Sequence, residues 1–155
     1  MAGFKGQAEY SIDDKGRVAL PAKMRRALSP DAKDTFVATR GFEQCVFLYP
    51  LNQWEQMERE LAALNMFRRD AREVVREMSR WADEVTLDGQ GRISLPRTLI
   101  DFAELSVGNG GKAIIIGAFD HIELWDPSHF NSYTASQVDD YQTITERVLG
   151  GLDDS

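Results

Sequence analysis

Two arginines, each following a short turn, are the residues of this chain best suited to binding chemistry. The segment DDKGRVALP at 13–21 recurs as DGQGRISLP at 88–96. In both copies aspartate can accept hydrogen bonds from the backbone two residues on, and glycine supplies a positive φ, which together fix a turn. A guanidinium on so rigid a base can bind a phosphate, or the O6/N7 edge of guanine, with little loss of entropy. We therefore take Arg17 and Arg92 as candidate binding residues. The residues expected to form the turns are Asp13, Gly16, Asp88 and Gly91.

A plainer interpretation is that each arginine only pairs with the aspartate of its own turn. For a single copy that interpretation would be preferred. The second copy and a group of neighbouring basic residues favour binding instead. These neighbours are Lys15, Lys23, Arg25 and Arg26.

The similarity continues downstream of the turns, which indicates a duplicated unit. Gly41, Val46, Leu48, Tyr49 and Trp54 match Gly117, Ile122, Leu124, Trp125 and Phe130 in the same order. We infer two internal repeats, at 5–54 and 81–130. No Gly/Ser/Pro-rich linker separates them, so residues 1–155 are expected to form one integrated domain.

The charge of the chain is unevenly distributed. The net charge is −7, which by itself argues against a nucleic-acid partner. Residues 1–29 nevertheless carry six basic and three acidic side chains, whereas 119–155 carry eight acidic side chains and Arg147 as the only base. A local cationic surface on an acidic molecule is therefore possible.

Composition limits the class of protein. With 155 residues, of which 43% are hydrophobic and 28% charged, the chain is long enough for one compact domain or two small halves sharing a core. It contains no apolar run long enough to span a membrane, and residues 1–10 lack an apolar signal core. The single cysteine, Cys45, lies in an apolar run and provides no disulfide framework. We expect a soluble cytoplasmic protein.

The pattern of strands and helices predicts an α+β fold. In the first copy, strands at 7–12 and 17–20 flank the turn as a hairpin, and a short helix begins at Pro21 and extends to Leu28. A second strand pair follows at 35–40 and 44–49. The second copy repeats this plan, with strands at 84–87, 92–95, 112–117 and 121–125 and a helix beginning at Pro96.

Amphipathic helices are expected outside the strands. Apolar residues at helical spacing predict two helices, or one bent helix, in the connector at 51–81. A further helix is predicted at 137–149, with Gly150-Gly151 as its end. Trp54, Phe67 and Trp81 either pack against another subunit or cover the chain's own sheet.

Other candidate sites are weaker. Arg68, Arg72, Arg76 and Arg80 form a stripe that could contact phosphate or a subunit, although a solvated face balanced by Glu73 and Glu77 is preferred. His121 and His129 lack further ligands at a recognised metal spacing. The segment 106–112 resembles a phosphate loop but lacks its first glycine and its Ser or Thr. We predict no catalytic residue, metal or cofactor, and a nucleophilic role for Cys45 is not favoured.

The pattern Asp-x-x-Gly-Arg-Val-x-Leu-Pro-x-x-x-Arg-Arg-x-Leu at 13–28 resembles the AbrB-type swapped-hairpin DNA-binding motif. Two copies, with the segments at 41–50 and 122–125, resemble the MraZ family over about residues 4–148. The resemblance implies a β-rich barrel of two AbrB-like ββαββ units related by pseudo-twofold symmetry. It also implies a bacterial transcriptional regulator of the division and cell-wall gene cluster, which is nucleoid-associated and binds short direct repeats upstream of its own operon. The partners implied are DNA and further copies of the chain, in a homo-oligomeric ring of the octamer or dodecamer class, with no membrane and no small-molecule substrate.

The resemblance also assigns roles to residues. It implies DNA contacts by Lys15, Arg17 and Arg92 and, through the paired arginines of the motif, by Arg25 and Arg26. Further candidates are Lys5, Lys23 and Arg97. In the second copy Ile100 and Asp101 replace the arginine pair and Gln90 replaces the lysine, so the first copy is expected to dominate affinity.

One alternative function stays open. AbrB-type domains also serve as antitoxins, and the acidic segment 139–155 could bind a protein partner in that way. Antitoxins of this type carry one copy of the motif, whereas this chain carries two. A structural protein-binding ring is a related alternative, in which Arg17 would be dispensable.

Overall fold

Strands from both repeats interleave in one antiparallel sheet. The computed structural model describes residues 3–153, with side chains as far as Gly151. The strands are β1 Gln7–Ser11, β2 Arg17–Ala19, β3 Thr35–Arg40, β4 Val46–Pro50, β5 Asp83–Thr86, β6 Arg92–Ser94, β7 Lys112–Gly117 and β8 Ile122–Trp125. Six of them form a sheet in the order β1-β7-β8-β4-β3-β5. The other two, β2 and β6, pair with each other, and we call this pair the ribbon.

The ribbon exchanges partners between the repeats. Consecutive strands β1 and β2 were predicted to form a hairpin, and this prediction holds only at the turn. There Ile12 bridges Val18, and the Asp13 N–H donates to the Arg17 carbonyl at 3.0 Å. Beyond the turn, β1 pairs along its length with β7. β2 pairs instead with β6 of the other repeat, and Val18 and Ile93, each 1% exposed, lie on the buried face of that pair.

The resemblance implied a β-rich barrel, but the strands pair as an open sheet. The six-stranded ladder ends at β1 and at β5, so the described strands form no closed barrel. Each of these edge strands instead runs through a turn into one strand of the ribbon. The α+β class and the duplicated units are as predicted.

Between residues 3 and 153, six α-helices accompany the strands, together with a 3₁₀ turn at Pro30–Ala32. They are α1 Ala22–Arg26, α2 Leu51–Ala62, α3 Arg69–Arg80, α4 Arg97–Phe102, α5 Pro127–Ala135 and α6 Tyr141–Asp153. The extended backbone of Pro21 and Pro96 directs the chain into α1 and α4. The connector at 51–81 contains two separate helices, α2 and α3, which is the first of the two predicted alternatives.

Two helical predictions need correction. α5 was not predicted, although Asp126 caps it by accepting from the backbone N–H groups of Ser128 and His129. The C-terminal helix begins at Tyr141 rather than at 137, because Asp140 accepts a hydrogen bond from the Thr143 N–H at 2.8 Å. It also continues through Gly150-Gly151, which was predicted to end it.

The sheet has an apolar cluster on each face. The larger lies between the sheet, the ribbon and the two short helices, and it includes Phe36, Leu48, Ile93, Leu99, Ile115, Ile122 and Leu124. On the opposite face, side chains from α2, α3 and α5 cover Val37, Phe47, Tyr49 and Trp125. Both repeats therefore contribute to both clusters.

The exposed aromatic side chains are fewer than the sequence suggested. Trp54 is 8% exposed and packs on Tyr49, with ring centroids 5.9 Å apart. Trp81 packs on Phe102 with the rings tilted and their centroids 5.3 Å apart. Of the three candidates, Phe67 is the one that stays exposed, at 96%. No helix within residues 3–153 is long and apolar enough to cross a bilayer.

Candidate nucleic-acid interface

The two turns have the same hydrogen-bond pattern. In the first, Asp13 Oδ1 accepts from the backbone N–H groups of Lys15 at 3.0 Å and Arg17 at 2.8 Å. In the second, Asp88 Oδ1 accepts from the N–H groups of Gln90 at 2.8 Å and Arg92 at 2.9 Å. Gly16 and Gly91 have φ values of 78° and 74°, which favour glycine.

The negative form of each aspartate is stabilised by these bonds. The backbone N–H of Arg17 is the main cause that holds the pKa of Asp13 below its ordinary value. The backbone N–H of Arg92 does the same for the pKa of Asp88. Both carboxylates therefore stay charged and keep the turns closed at neutral pH.

Each arginine is anchored by one nitrogen and leaves two available. Arg17 Nε donates to Asp13 Oδ2 at 2.6 Å, and Arg92 Nε donates to Asp88 Oδ2 at 2.9 Å. Within residues 3–153 the terminal Nη groups of both have no protein partner. The ion pair and the binding role are thus compatible, since the aspartate orients a guanidinium whose outer edge can bind a ligand in bidentate fashion.

Both arginines lie on the exposed face of the ribbon. Arg17 is paired with Ser94, and Ala19 with Arg92. Directly paired residues of an antiparallel pair share a face, and the alternate residues Val18 and Ile93 point into the core. Arg17 and Arg92 are therefore diagonal neighbours, about 7–8 Å apart at their Cα atoms. Sequence reasoning missed Ala19 and Ser94 on this face, although strand alternation would have identified them.

The turns are locked together by reciprocal bonds. The Leu20 N–H donates to the Gly91 carbonyl at 3.1 Å, and the Leu95 N–H donates to the Gly16 carbonyl at 2.9 Å. This exchange relates the two halves by pseudo-twofold symmetry.

The remaining residues predicted to contact DNA have different surroundings. Lys15 and Arg26 are exposed. Lys5 and Lys23 line one pocket of about 250 Å³ beside Phe4. Arg25 extends to the turn of the other repeat, where its guanidinium lies against Gly91.

Arg97 is also held through one nitrogen, but on the helix α4 and not in a turn. Its Nε donates to Asp101 at 3.1 Å, and this ion pair is exposed to solvent. Asp101 is one of the two residues that replace the arginine pair in the second copy. The departure from the motif thus places an acidic side chain beside this cation.

The arginine stripe of α3 is satisfied within the chain. Arg76 pairs with Glu73 at 2.7 Å, and Arg80 pairs with Glu77 at 2.9 Å. Hydrogen bonds from Arg80, from Trp81 and from Arg40 lower the pKa of Glu77 to about 2. This is the solvated, charge-balanced face that the sequence favoured.

The other candidate residues have local partners. His121 contacts Asp120 and Glu123, whereas His129 pairs with Glu104 at 2.7 Å. Burial raises the pKa of the Cys45 thiol well above its ordinary value, so the thiolate nucleophile is disfavoured. The segment 106–112 leads into the strand β7 and not into a helix, unlike a phosphate loop.

Comparison with known proteins gives one family for both halves. A family model described as "MraZ protein, putative antitoxin-like" matches residues 4–77 and again 78–151. A protein of Natranaerobius thermophilus is 38% identical over 146 residues, covering 94% of this chain and 96% of the relative. One of Halothermothrix orenii is 38% identical, covering 91% and 93% of the two chains. A third, of Moorella thermoacetica, is 36% identical and covers 94% and 96%. All three are named transcriptional regulator MraZ.

Proposed function

The chain belongs to the MraZ family, and on that premise we propose that it is a sequence-specific DNA-binding transcriptional regulator. It acts in the cytoplasm at the nucleoid, on the bacterial gene cluster for division and cell-wall synthesis. Its sites are short direct repeats in the DNA upstream of its own operon. The relatives carry the name of a regulator and of no enzyme, so the proposal includes no catalytic step.

The observation that carries the proposal is the exposed face of the ribbon. Arg17 and Arg92 present free Nη groups there from rigid turns. The major groove of B-DNA is about 12 Å wide and admits a two-stranded ribbon. Within it, a guanidinium can bind guanine O6/N7 or, at the edge, a phosphate. The two arginines then contact neighbouring positions on the same duplex.

Assembly into a ring increases the strength of this binding. One protomer supplies few cationic contacts, and the chain as a whole carries a net charge of −7. A homo-oligomeric ring, of the octamer or dodecamer class, presents several ribbons to repeated sites and raises the effective concentration without new contacts. The nearly fully exposed Phe67, between α2 and α3, supports a subunit contact near these helices.

The test is binding to the upstream DNA by the intact protein. We expect fluorescence anisotropy to show selective binding over shuffled DNA, with an affinity that falls steeply as salt increases. Arg17→Ala should weaken binding by about 1–3 kcal/mol. The matched control is Arg59→Ala, which removes the same charge from an exposed position on α2. An equal effect of both variants would contradict the role assigned to Arg17.

A protein partner is the second candidate function. The helix α6 makes little contact with the rest of the chain, and Tyr141, Val148 and Leu149 on it are exposed. Asp139, Asp140 and Glu146 make this region acidic, which supports an antitoxin-like or structural ring. Equal weak binding to both DNAs would favour this alternative over DNA recognition.

A further inference from the structure

Arg25 is a residue of the first repeat that lies at the turn of the second. A Cβ atom added to Gly91 would lie 2.5 Å from Arg25 Nη1 and 2.7 Å from its Cζ, so the guanidinium covers this glycine closely. Arg25 Nε also donates to the Leu20 carbonyl at 3.1 Å, and the Leu20 N–H donates to the Gly91 carbonyl. Leu20 therefore fixes both the arginine and the turn beneath it.

The corresponding place at the first turn is apolar. A Cβ atom added to Gly16 would lie 2.8 Å from Ile100 Cδ1, and Ile100 is the counterpart of Arg25 in the second repeat. The reciprocal bond, from the Leu95 N–H to the Gly16 carbonyl, is present. The backbone is thus exchanged symmetrically, whereas the side chain that covers each glycine is not.

We propose that Arg25 and Arg92, from different repeats, together form the anion-binding site of the second turn. Arg25 supplies there the second cation that Gln90 does not provide. Within residues 3–153 its Nη groups have no hydrogen-bond partner, and the side chain is exposed, so they are available to a DNA phosphate or base. This inference rests on the DNA-binding function proposed above.

The proposal changes the expected balance between the halves. The first turn holds Lys15 and Arg17 from its own repeat, and the second holds Arg92 with Arg25 from the other. Each turn then has two cations, so the first turn does not dominate affinity, although the first repeat supplies three of the four cations. Since the two halves differ chemically, each protomer favours one orientation on a non-palindromic site, as repeated sites in one direction require.

A double-mutant cycle tests the pairing. Arg25→Met removes the charge but leaves an unbranched side chain to cover Gly91. We expect Arg25→Met and Arg92→Ala each to weaken binding of the upstream DNA by about tenfold. The double variant should lose less than the product of the two effects, by at least about threefold, because both residues serve one site. In the double variant of Arg17→Ala with Arg25→Met, by contrast, the loss of affinity should equal the product of the two single losses to within about twofold.

Arg26→Met is the matched control. Arg26 is the adjacent arginine and is also exposed, but the three atoms nearest to a Cβ built on Gly91 all belong to Arg25. Its effect should multiply with that of Arg92→Ala. Equal coupling of both arginines to Arg92, or coupling of Arg25 to Arg17 instead, would overturn the proposal.

A measurement without DNA separates this inference from the function on which it rests. In ¹H–¹⁵N spectra, Arg25→Met should shift the amide signal of Gly91 and leave that of Gly16 in place. An unmoved Gly91 signal would refute the placement of Arg25. A shifted Gly91 signal in a protein that does not prefer its upstream DNA would instead refute the DNA-binding function, and the anion site with it.

Discussion

The two turns have nearly identical backbones and different surroundings. Their aspartates make the same bonds, and their glycines differ in φ by only a few degrees. Gly16 is nevertheless covered by Ile100, whereas Gly91 is covered by Arg25. The residues of a turn thus determine its shape, and the opposite repeat determines what lies over it.

This difference shows where divergence of one repeat takes effect. The second copy has lost the arginine pair of the motif, with Ile100 in place of the first arginine. Because the ribbon places the helix of each repeat at the turn of the other, that loss changes the surroundings of the first turn and not of the second. Substitutions in the helix α4 therefore alter the site of the other half.

The largest effect is expected where the two repeats are equivalent, in the shared core. Met24 on α1 and Leu99 on α4 occupy matching positions and are 1% and 0% exposed. Met24→Ala and Leu99→Ala should each lower the free energy of unfolding by about 2–5 kcal/mol, because each leaves a cavity in one cluster. Urea denaturation followed by both circular dichroism and tryptophan fluorescence measures this.

The same experiment tests whether the halves fold as one unit. Both variants should retain a single transition that coincides between the two probes. Separate transitions, or a loss confined to one probe, would mean that the repeats are independent domains. The comparison of the turns would then lose its basis.

Local chemistry made much of this structure predictable. Turn residues such as Asp13 and Gly16, and the alternation of strands such as β3, define elements within a few residues along the chain. The anchoring of Arg17 by Asp13 was predictable for the same reason. The helix α5 was missed because its short apolar pattern is weak, although Asp126-Pro127 is a helix-start signal.

Long-range features were not predictable from these patterns. Nothing local to β2 shows that it pairs with β6, since burial of Val18 would also favour pairing with β1. The position of Arg25 over Gly91 depends on that exchange. The persistence of α6 through Gly150-Gly151 reflects the modest cost of glycine in a helix, about 1 kcal/mol per residue.

Substituting the two glycines separates stability from binding. Gly16→Ala and Gly91→Ala both impose positive φ on alanine, at about 1–2 kcal/mol each. Gly16→Ala also collides with the buried Ile100 and the Leu95 carbonyl, so its total cost should reach about 2–4 kcal/mol. Gly91→Ala meets the end of a flexible arginine, which can move away.

The order of effects should therefore reverse between the two measurements. In urea denaturation Gly16→Ala is the more destabilising variant. In DNA binding by the folded proteins, Gly91→Ala should show the additional loss, because it displaces Arg25 from the second turn. If Gly91→Ala matched Gly16→Ala in stability, Arg25 would be packed as rigidly as Ile100 and the contrast between the turns would fail.

The smallest expected effect is on the pH dependence of stability, and it differs between Cys45 and its counterpart in the second repeat, His121. The ring of His121 lies 4.4 Å from that of Phe47 and contacts Asp120 at 2.7 Å and Glu123 at 3.4 Å. Burial would lower the pKa of His121, but the hydrogen bonds to both carboxylates outweigh it and raise the pKa. Burial raises the pKa of the Cys45 thiol, so its contribution to stability is constant below the unfolded value of about 8.5 and falls only above it.

The raised pKa of His121 gives its contribution a definite sign. The stabilisation is complete below the unfolded value, about 6.5, and is lost as the pH rises through the higher folded value. His121→Gln should therefore lower the free energy of unfolding more at pH 6 than at pH 8, in urea denaturation at both. Cys45→Ala, the control, should cost nearly the same at the two pH values, because both lie below the unfolded pKa of the thiol. A loss for His121→Gln that is equal at both, or greater at pH 8, would mean that the carboxylates do not hold a charged imidazole at this position.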